Sequence, residues 1–306
     1  MSPIRPASLN IEYGLLGLLA VLWGASYLLI KVAVAEIPPV TLIAARVAIA
    51  AGCLFALMVW NGQRLPRDQR TWRMLFIQAV FNSIAAWTIL AWGQQYVDSG
   101  LASVLNSTSP IFVFLITVAV TRHEATSFVK LFGVCLGLTG VVLIVGPSVL
   151  AGLGQHVAGQ VASVLGAVLY ACAAIYGKRF SDLPAPVTAA GTMVCATACL
   201  VPASLIIDRP WHLTPSITAL AAAAALGVFC TGLALMIYFR LVRTLGSIGV
   251  ASQAYLRAGV GVVLGMVVLG EQISLAVGIG LVCALVGVAA MNAPSHAKPA
   301  APPSPR

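Results

Sequence analysis

The feature that most constrains this chain is a recurrence. Apolar stretches of about 20 residues, separated by short polar joints, run through nearly its whole length. A helix needs about 20 apolar residues to cross a hydrocarbon layer roughly 30 Å thick. Ten such stretches can be placed, at about 13–34, 40–60, 73–95, 99–121, 126–147, 157–178, 185–207, 215–240, 246–269 and 272–292. The joints between them leave no room for a soluble domain. Strands of a transmembrane barrel would alternate strictly over about 10 residues, and no such alternation is present. Only 8% of the residues are charged and 60% are hydrophobic, against about 25% charged in soluble domains. The expected fold class is therefore all-α and integral to a membrane. The first stretch ends near Ala33-Val34-Ala35, which resembles a signal cleavage site. It is too long for a signal core and contains Lys31, so it is read as a retained span.

The net charge of +9 orients the protein rather than marking a nucleic-acid surface. Arg5, Arg64, Arg67, Arg70, Arg73, Arg122, Lys130, Lys178, Arg179, Arg240, Arg243, Lys298 and Arg306 all fall on one side if the termini share that side. Lys31 and Arg209 fall on the other, and Arg46 and Arg257 lie within spans. The positive-inside rule then predicts a multi-pass inner (plasma) membrane protein with both termini cytoplasmic. No aromatic and basic groove accompanies the charge, so no nucleic-acid partner is expected. The Pro- and Ala-rich tail, residues 294–306, is expected to be disordered. The seven cysteines form no C-x-x-C pair and read as buried thiols.

The chain also repeats itself. LLIKVAVAEIPPVT (residues 28–41) aligns with IYGKRFSDLPAPVT (residues 175–188), so that Lys31 meets Lys178 and Pro39-Val40-Thr41 meets Pro186-Val187-Thr188. The same offset pairs Glu124 with Glu271, Gly133 with Gly280, and Gly140 with Gly287. The two units are residues 1–147 and 148–293. Each holds an odd number of spans, so the second must enter the membrane from the opposite side. Two inverted five-helix repeats follow, an organisation of many secondary transporters with the substrate site near the midplane.

Leu22-Trp23-Gly24, Arg46, Ser109-Pro110, Glu124, Leu269-Gly270-Glu271 and glycines in each closing helix together resemble the EamA-type members of the drug/metabolite transporter superfamily, over about residues 14–292. The resemblance implies inverted five-helix repeats, alternating access, and export of small metabolites, often amino acids. Within that family the chain is similar to the YddG-type aromatic amino-acid exporters, by general likeness. The second half has Arg257-Ala258-Gly259 where a counterpart of Pro110 would stand, so residue roles are not carried over to span 9.

The eight acids and four histidines sit in loops or near span ends. No carboxylate pair, metal cluster or Ser-His-Asp set faces a common interior, so neither enzyme chemistry nor a cofactor or metal is expected. The same absence predicts transport without an in-membrane carboxylate relay. Arg257 falls near mid-membrane, where a charge faces either a wet cavity or backbone carbonyls. It is open to both a substrate carboxylate and a structural role. Arg46, nearer a helix end, is expected to snorkel or to make a helix-end contact. Gln78 with Asn82, the Asn106-Ser107-Thr108 cluster before Pro110, and Gln253 one turn from Arg257 supply polar groups. Trp23 and Tyr27 share a face, and Tyr170 is the repeat partner of Trp23. Each could equally glue helices together. The candidate substrate-binding residues are Trp23, Tyr27, Asn82, Asn106, Tyr170, Gln253, Tyr255 and Arg257. Gly133-x-x-x-Gly137 and Gly261-x-x-x-Gly265 read as close helix packing.

The expected function is export of small metabolites, amino acids and aromatic ones among them, through a central cavity. The partners are a small-molecule substrate and the lipid bilayer. The alternatives are a multidrug or nucleotide-sugar carrier of the same fold and, more remotely, a channel or a membrane enzyme.

Overall fold

A computed structural model describes residues 6–93, 96–97, 104–121, 128–146, 150, 153–257, 260 and 275–293. Every regular element among them is helical. Among the described residues, six helices are long and apolar enough to span a membrane. They are α1 (Pro6–Val34), α2 (Pro39–Trp60), α3 (Gln69–Gly93), α6 (Val157–Tyr176), α7 (Ala185–Ile207) and α8 (Ile217–Thr244). Shorter apolar helices are α4 (Val104–Ala119), α5 (Phe128–Val145) and α10 (Leu275–Met291). Between α8 and α10 lies α9 (Gly246–Ala251), which turns at Ser252 and resumes through Arg257.

Local chemistry sets the helix starts. Proline at the first turn opens α2 and α7, where its fixed φ suits the helix and its missing N–H is not needed. Asp68 caps α3 by accepting from the Thr71 amide at 2.7 Å, and Ser216 caps α8 by accepting from the Ala219 amide at 3.2 Å. Two helices widen in mid-course. α3 becomes a π-helix over Val80–Ile84 and α8 over Val228–Leu233. Both segments open on Val-Phe, and Ser83 in one aligns with Thr231 in the other. α4 breaks at Ser107-Thr108, just ahead of Pro110, because proline cannot donate to the preceding turn.

The packing pairs elements of the first five with elements of the last five. α2 lies on α7 and α5 on α10. The α3 contacts with α6 and α7 match those of α8 with α1 and α2. The closest approach is between α5 and α10. A Cβ on Gly133 would lie 2.7 Å from the Gly287 carbonyl, and one on Gly287 would lie 2.7 Å from the Gly133 carbonyl. Gly140 and Gly280 are related in the same reciprocal way, at 2.6 and 2.8 Å. Only glycine lets two backbones meet there. Gly261 and Gly265 lie outside the described residues.

The two ends of the bundle are tied differently. Where α1 begins, Glu12 is buried to 3% exposure and meets Arg240 of α8 at 2.7 Å. The Thr244 hydroxyl also donates to Glu12, at 3.0 Å. Sequence hydropathy starts the first span near residue 13, leaving this acid outside. The structure starts α1 at Pro6 and brings Glu12 into the bundle. Where α1 ends, the Thr41 amide and hydroxyl both donate to Asp208 Oδ2 at 2.8 Å. Glu36 takes the Ser216 amide at 2.6 Å and its hydroxyl at 2.8 Å. The cysteines depart from expectation. Cys195 and Cys230 are buried, but Cys53 and Cys135 are exposed on the outer faces of their helices.

Candidate functional site

The centre of the bundle holds a cavity of about 690 Å³, within the few-hundred to 1,000 Å³ range of small-molecule sites. Its wall is drawn from α1, α2, α3, α4, α6, α8 and α9. It reaches from Tyr238 and Val250 up to Val34 and Pro39, at the end where α1 finishes. Four aromatic side chains form the broad surfaces: Trp23, Trp87, Tyr170 and Tyr238. Trp23 and Tyr238 pack with ring centroids 5.6 Å apart.

Arg46 supplies one cation of the wall. It is buried, not snorkelling. Its Nε donates to Thr231 Oγ1 at 2.6 Å and its Nη2 to the Cys230 carbonyl at 3.3 Å. Its guanidinium also lies 4.0 Å from the centroid of Trp87, a cation–π contact. The π-helical stretch in α8 explains the arrangement. Widening the turn takes carbonyls out of the regular ladder, and the Cys230 carbonyl accepts from both Arg46 and Trp23 Nε1, the latter at 3.1 Å. The Thr231 hydroxyl turns back to the Leu226 carbonyl at 2.8 Å, leaving its lone pairs for Arg46.

Arg257 supplies the second cation. It lines the cavity, and its Nε has no hydrogen-bond partner. Gln253, one turn earlier, lines the same wall, as does Asn106 at the break in α4. Asn82 joins them from the π-helical part of α3, where its amide donates to Ser83 Oγ at 3.2 Å. Gln78, one turn before Asn82, instead ties α3 to α6 by donating to the Ala173 carbonyl at 3.2 Å.

Of the eight candidates from sequence, the structure brings Trp23, Asn82, Asn106, Tyr170, Gln253 and Arg257 to this one cavity. The side chain of Tyr27 lies outside the described residues. Tyr255 is a correction. It is fully buried away from the cavity, with its hydroxyl donating to the Val134 carbonyl of α5 at 3.0 Å. Gln253 and Arg257 are four residues apart and share a helix face, whereas Tyr255 lies two residues on and points away. Its ring fills the space that Gly137 leaves open. Sequence reasoning missed Trp87, Tyr238, Ser26 and Ser109 as liners. The spacing of Ser26 from Trp23 was the one available signal. Among the described residues no Asp, Glu or His lines the cavity, and no group of three or more metal-ligating side chains occurs.

The profile of the EamA-like transporter family matches this sequence twice, over residues 11–146 and again over 157–293. The chain belongs to the EamA-like transporter family. Relatives include the uncharacterized inner membrane transporter YedA of Escherichia coli strain K12. It is 27% identical over 264 residues, covering 86% of this chain and 84% of YedA. The uncharacterized transporter YvbV of Bacillus subtilis is 25% identical over 296 residues, covering 94% and 93% of the two chains. A solved crystal structure superposes with a TM-score of 0.76 at 19% identity, covering 90% of this chain and 96% of the other. That likeness concerns the fold. Family and apolar helices together make this a multi-pass membrane transporter protein.

Proposed function

We propose that this EamA-family protein is a ten-span carrier built from two inverted five-helix repeats, 1–147 and 148–293. It exports small amphipathic metabolites, amino acids and aromatic ones among them, by alternating access. The observation that carries the cargo reading is the placement of Arg257 together with four aromatic walls in one cavity. A carboxylate would satisfy the arginine, and an apolar side chain would meet the rings. The reciprocal glycine contacts of α5 and α10 support the repeat reading. So does the double match to one family profile. Inversion requires partners to exchange roles across a pseudo-two-fold axis.

We read both termini as lying in the cytoplasm of an inner membrane, a reading that the one-sided distribution of basic residues supports. On that reading the cavity opens outward, past Val34 and Pro39, and the Glu12–Arg240 pair closes the inner end. Rocking one repeat against the other would break this pair and close the outer mouth. One finding favours a second reading. Arg46 adds a cation beside Arg257, and nucleotide cargo calls for several. Its guanidinium is already held by Thr231, Cys230 and Trp87, so the amino-acid reading stands ahead.

A substrate panel in proteoliposomes of purified protein tests this. Saturable uptake of one or more amino acids, lowered at least tenfold in Arg257→Ala, is the expected result. Failure of every amino acid while a nucleotide sugar is carried would move the assignment to the second reading.

A further inference from the structure

Where α3 begins, the bundle carries positive charge that nothing in the fold answers. Arg64, Arg67, Arg70 and Arg73 recur at every third residue, from the loop into the start of the helix. Arg70 lies beside Asp68, the cap of α3. At the same end of the bundle Arg240 is held by Glu12 and Arg243 by the Leu183 carbonyl, and Arg179 lies over the ring of Tyr176. Among the described residues, the side chains of Arg64, Arg67 and Arg73 have no hydrogen-bond, ion-pair or ring partner.

A groove of about 530 Å³ adjoins them on the outside of the bundle. It is lined by Gln69, Trp72, Arg73, Phe76 and Ile77 of α3 and by Cys195 of α7. Residues four apart share a helix face, so Gln69, Arg73 and Ile77 form one row and Trp72 with Phe76 the next. The face passes from polar to apolar over about 12 Å. Phe76 and Ile77 are exposed, as lipid-facing side chains are. The Trp72 indole donates to the Pro66 carbonyl at 2.8 Å. That bond holds the loop bearing Arg64 and Arg67 against the start of α3.

We infer that this groove binds one anionic phospholipid, its phosphate on Arg73 and the loop arginines and an acyl chain along Phe76 and Ile77 toward Cys195. A guanidinium meets a phosphate through two parallel hydrogen bonds, and basic pockets at the ends of membrane helices recognise anionic headgroups. A charged head directly above an apolar track matches a lipid rather than a free anion. The helix itself does not demand the charge. In register with the paired π-helical segments, α8 carries Ile217, Ala221 and Ala225 where α3 carries Gln69, Arg73 and Ile77. A charge that only orients the chain serves from anywhere in the loop, whereas Arg73 stands on the helix, one turn from exposed apolar side chains. The site is separate from the central cavity and independent of the cargo reading.

Native mass spectrometry of the purified protein tests this, with phosphatidylglycerol, zwitterionic phosphatidylcholine or sn-glycerol 1-phosphate added. Wild type is expected to retain one phosphatidylglycerol roughly tenfold more tightly than phosphatidylcholine, and glycerol phosphate should not compete. Arg73→Gln should cut that preference about fivefold, and Arg64→Gln with Arg67→Gln by at least as much. Arg70→Gln, off the groove and beside Asp68, should keep it. Ile77→Ser should weaken both lipids alike. Should Arg73→Gln misfold, Arg73→Lys keeps the charge without the planar fork and should give an intermediate preference. Equal wild-type affinity for the two lipids overturns the inference. So does a loss in Arg70→Gln as large as that in Arg73→Gln, which would show diffuse attraction in place of a site. Displacement of the lipid by glycerol phosphate also overturns it, since the groove would then hold a free anion. None of these outcomes touches the cargo reading.

Discussion

Arg240 on α8 reaches across to Glu12 on α1 and closes the bundle at one end, with Nη2 2.7 Å from Oε1 and Nε 3.1 Å from the same oxygen. The pair is lopsided. The glutamate side chain is almost fully buried and the arginine is 51% exposed. Removing the arginine leaves a buried carboxylate with only Thr244 to answer it, whereas removing the charge from Glu12 leaves an exposed arginine that water can solvate. Arg240→Ala should therefore destabilise the fold by about 1.5–3 kcal/mol, and Glu12→Gln by less than half of that. Thermal unfolding in detergent ranks the two. A larger loss for Glu12→Gln would show that the pair is not organised around the buried acid.

Arg46 is held from three directions, by Thr231, by the Cys230 carbonyl and by the face of Trp87. Thr231→Val keeps the shape and removes the acceptor of the shortest of these bonds. About 1–3 kcal/mol of stability should be lost, with a change in tryptophan emission as Trp87 responds. Arg46→Lys retains the charge but not the planar fork, and should fall between wild type and Arg46→Ala. If Lys and Ala behaved alike, charge would contribute nothing at this position.

The α5–α10 seam is expected to be intolerant of added volume. A Cβ on Gly140 would lie 2.5 Å from the Ala284 amide nitrogen, and one on Gly137 would be driven into the Tyr255 ring. Gly140→Ala and Gly137→Ala should each cost roughly 1–3 kcal/mol. Gly52→Ala, with nothing within 4 Å of the new methyl, should be neutral or slightly stabilising. Unfolding temperatures of the three variants decide this, and a neutral Gly140→Ala would contradict the close approach.

The Glu36–Ser216 contact should weaken in acid. The Ser216 amide, and then its hydroxyl, hold the Glu36 carboxyl below its ordinary range. A carboxyl lowered in the fold contributes stability above its unfolded value and loses it as pH falls through the folded one. The unfolding temperature of wild type should exceed that of Glu36→Ala at neutral pH. The difference should shrink below about pH 4.5. A difference that grew on acidification would have the wrong sign.

The sequence carried some of this and not the rest, for physical reasons. Apolar length marked the helices, since a membrane demands it. The repeat then pointed to Trp23 with Tyr170 and to Asn106 with Gln253, and both pairs line the cavity. Arg46 was misjudged because its depth was counted along α2 alone. What buries it is a widened turn in α8, some 185 residues away, and no local pattern announces a π-helix. Glu12 was missed because Asn10 and Glu12 interrupt the hydropathy of a helix that starts at Pro6. Tyr255 was legible in principle. Its spacing from Gln253 and Arg257 already put it on another face.

The composition of the same wall bears on how transport is coupled. With no acid or histidine among its described liners, uptake into liposomes should proceed without an imposed pH gradient. A strict requirement for one would place a titrating group on the route.

The most direct test of the central claim is counterflow of radiolabelled phenylalanine into proteoliposomes preloaded with unlabelled phenylalanine. A carrier that alternates around this cavity predicts saturable entry, stimulated by the internal substrate and lost in Arg257→Ala. Entry that rises linearly with concentration and ignores the internal substrate would contradict it, and would show a pore instead.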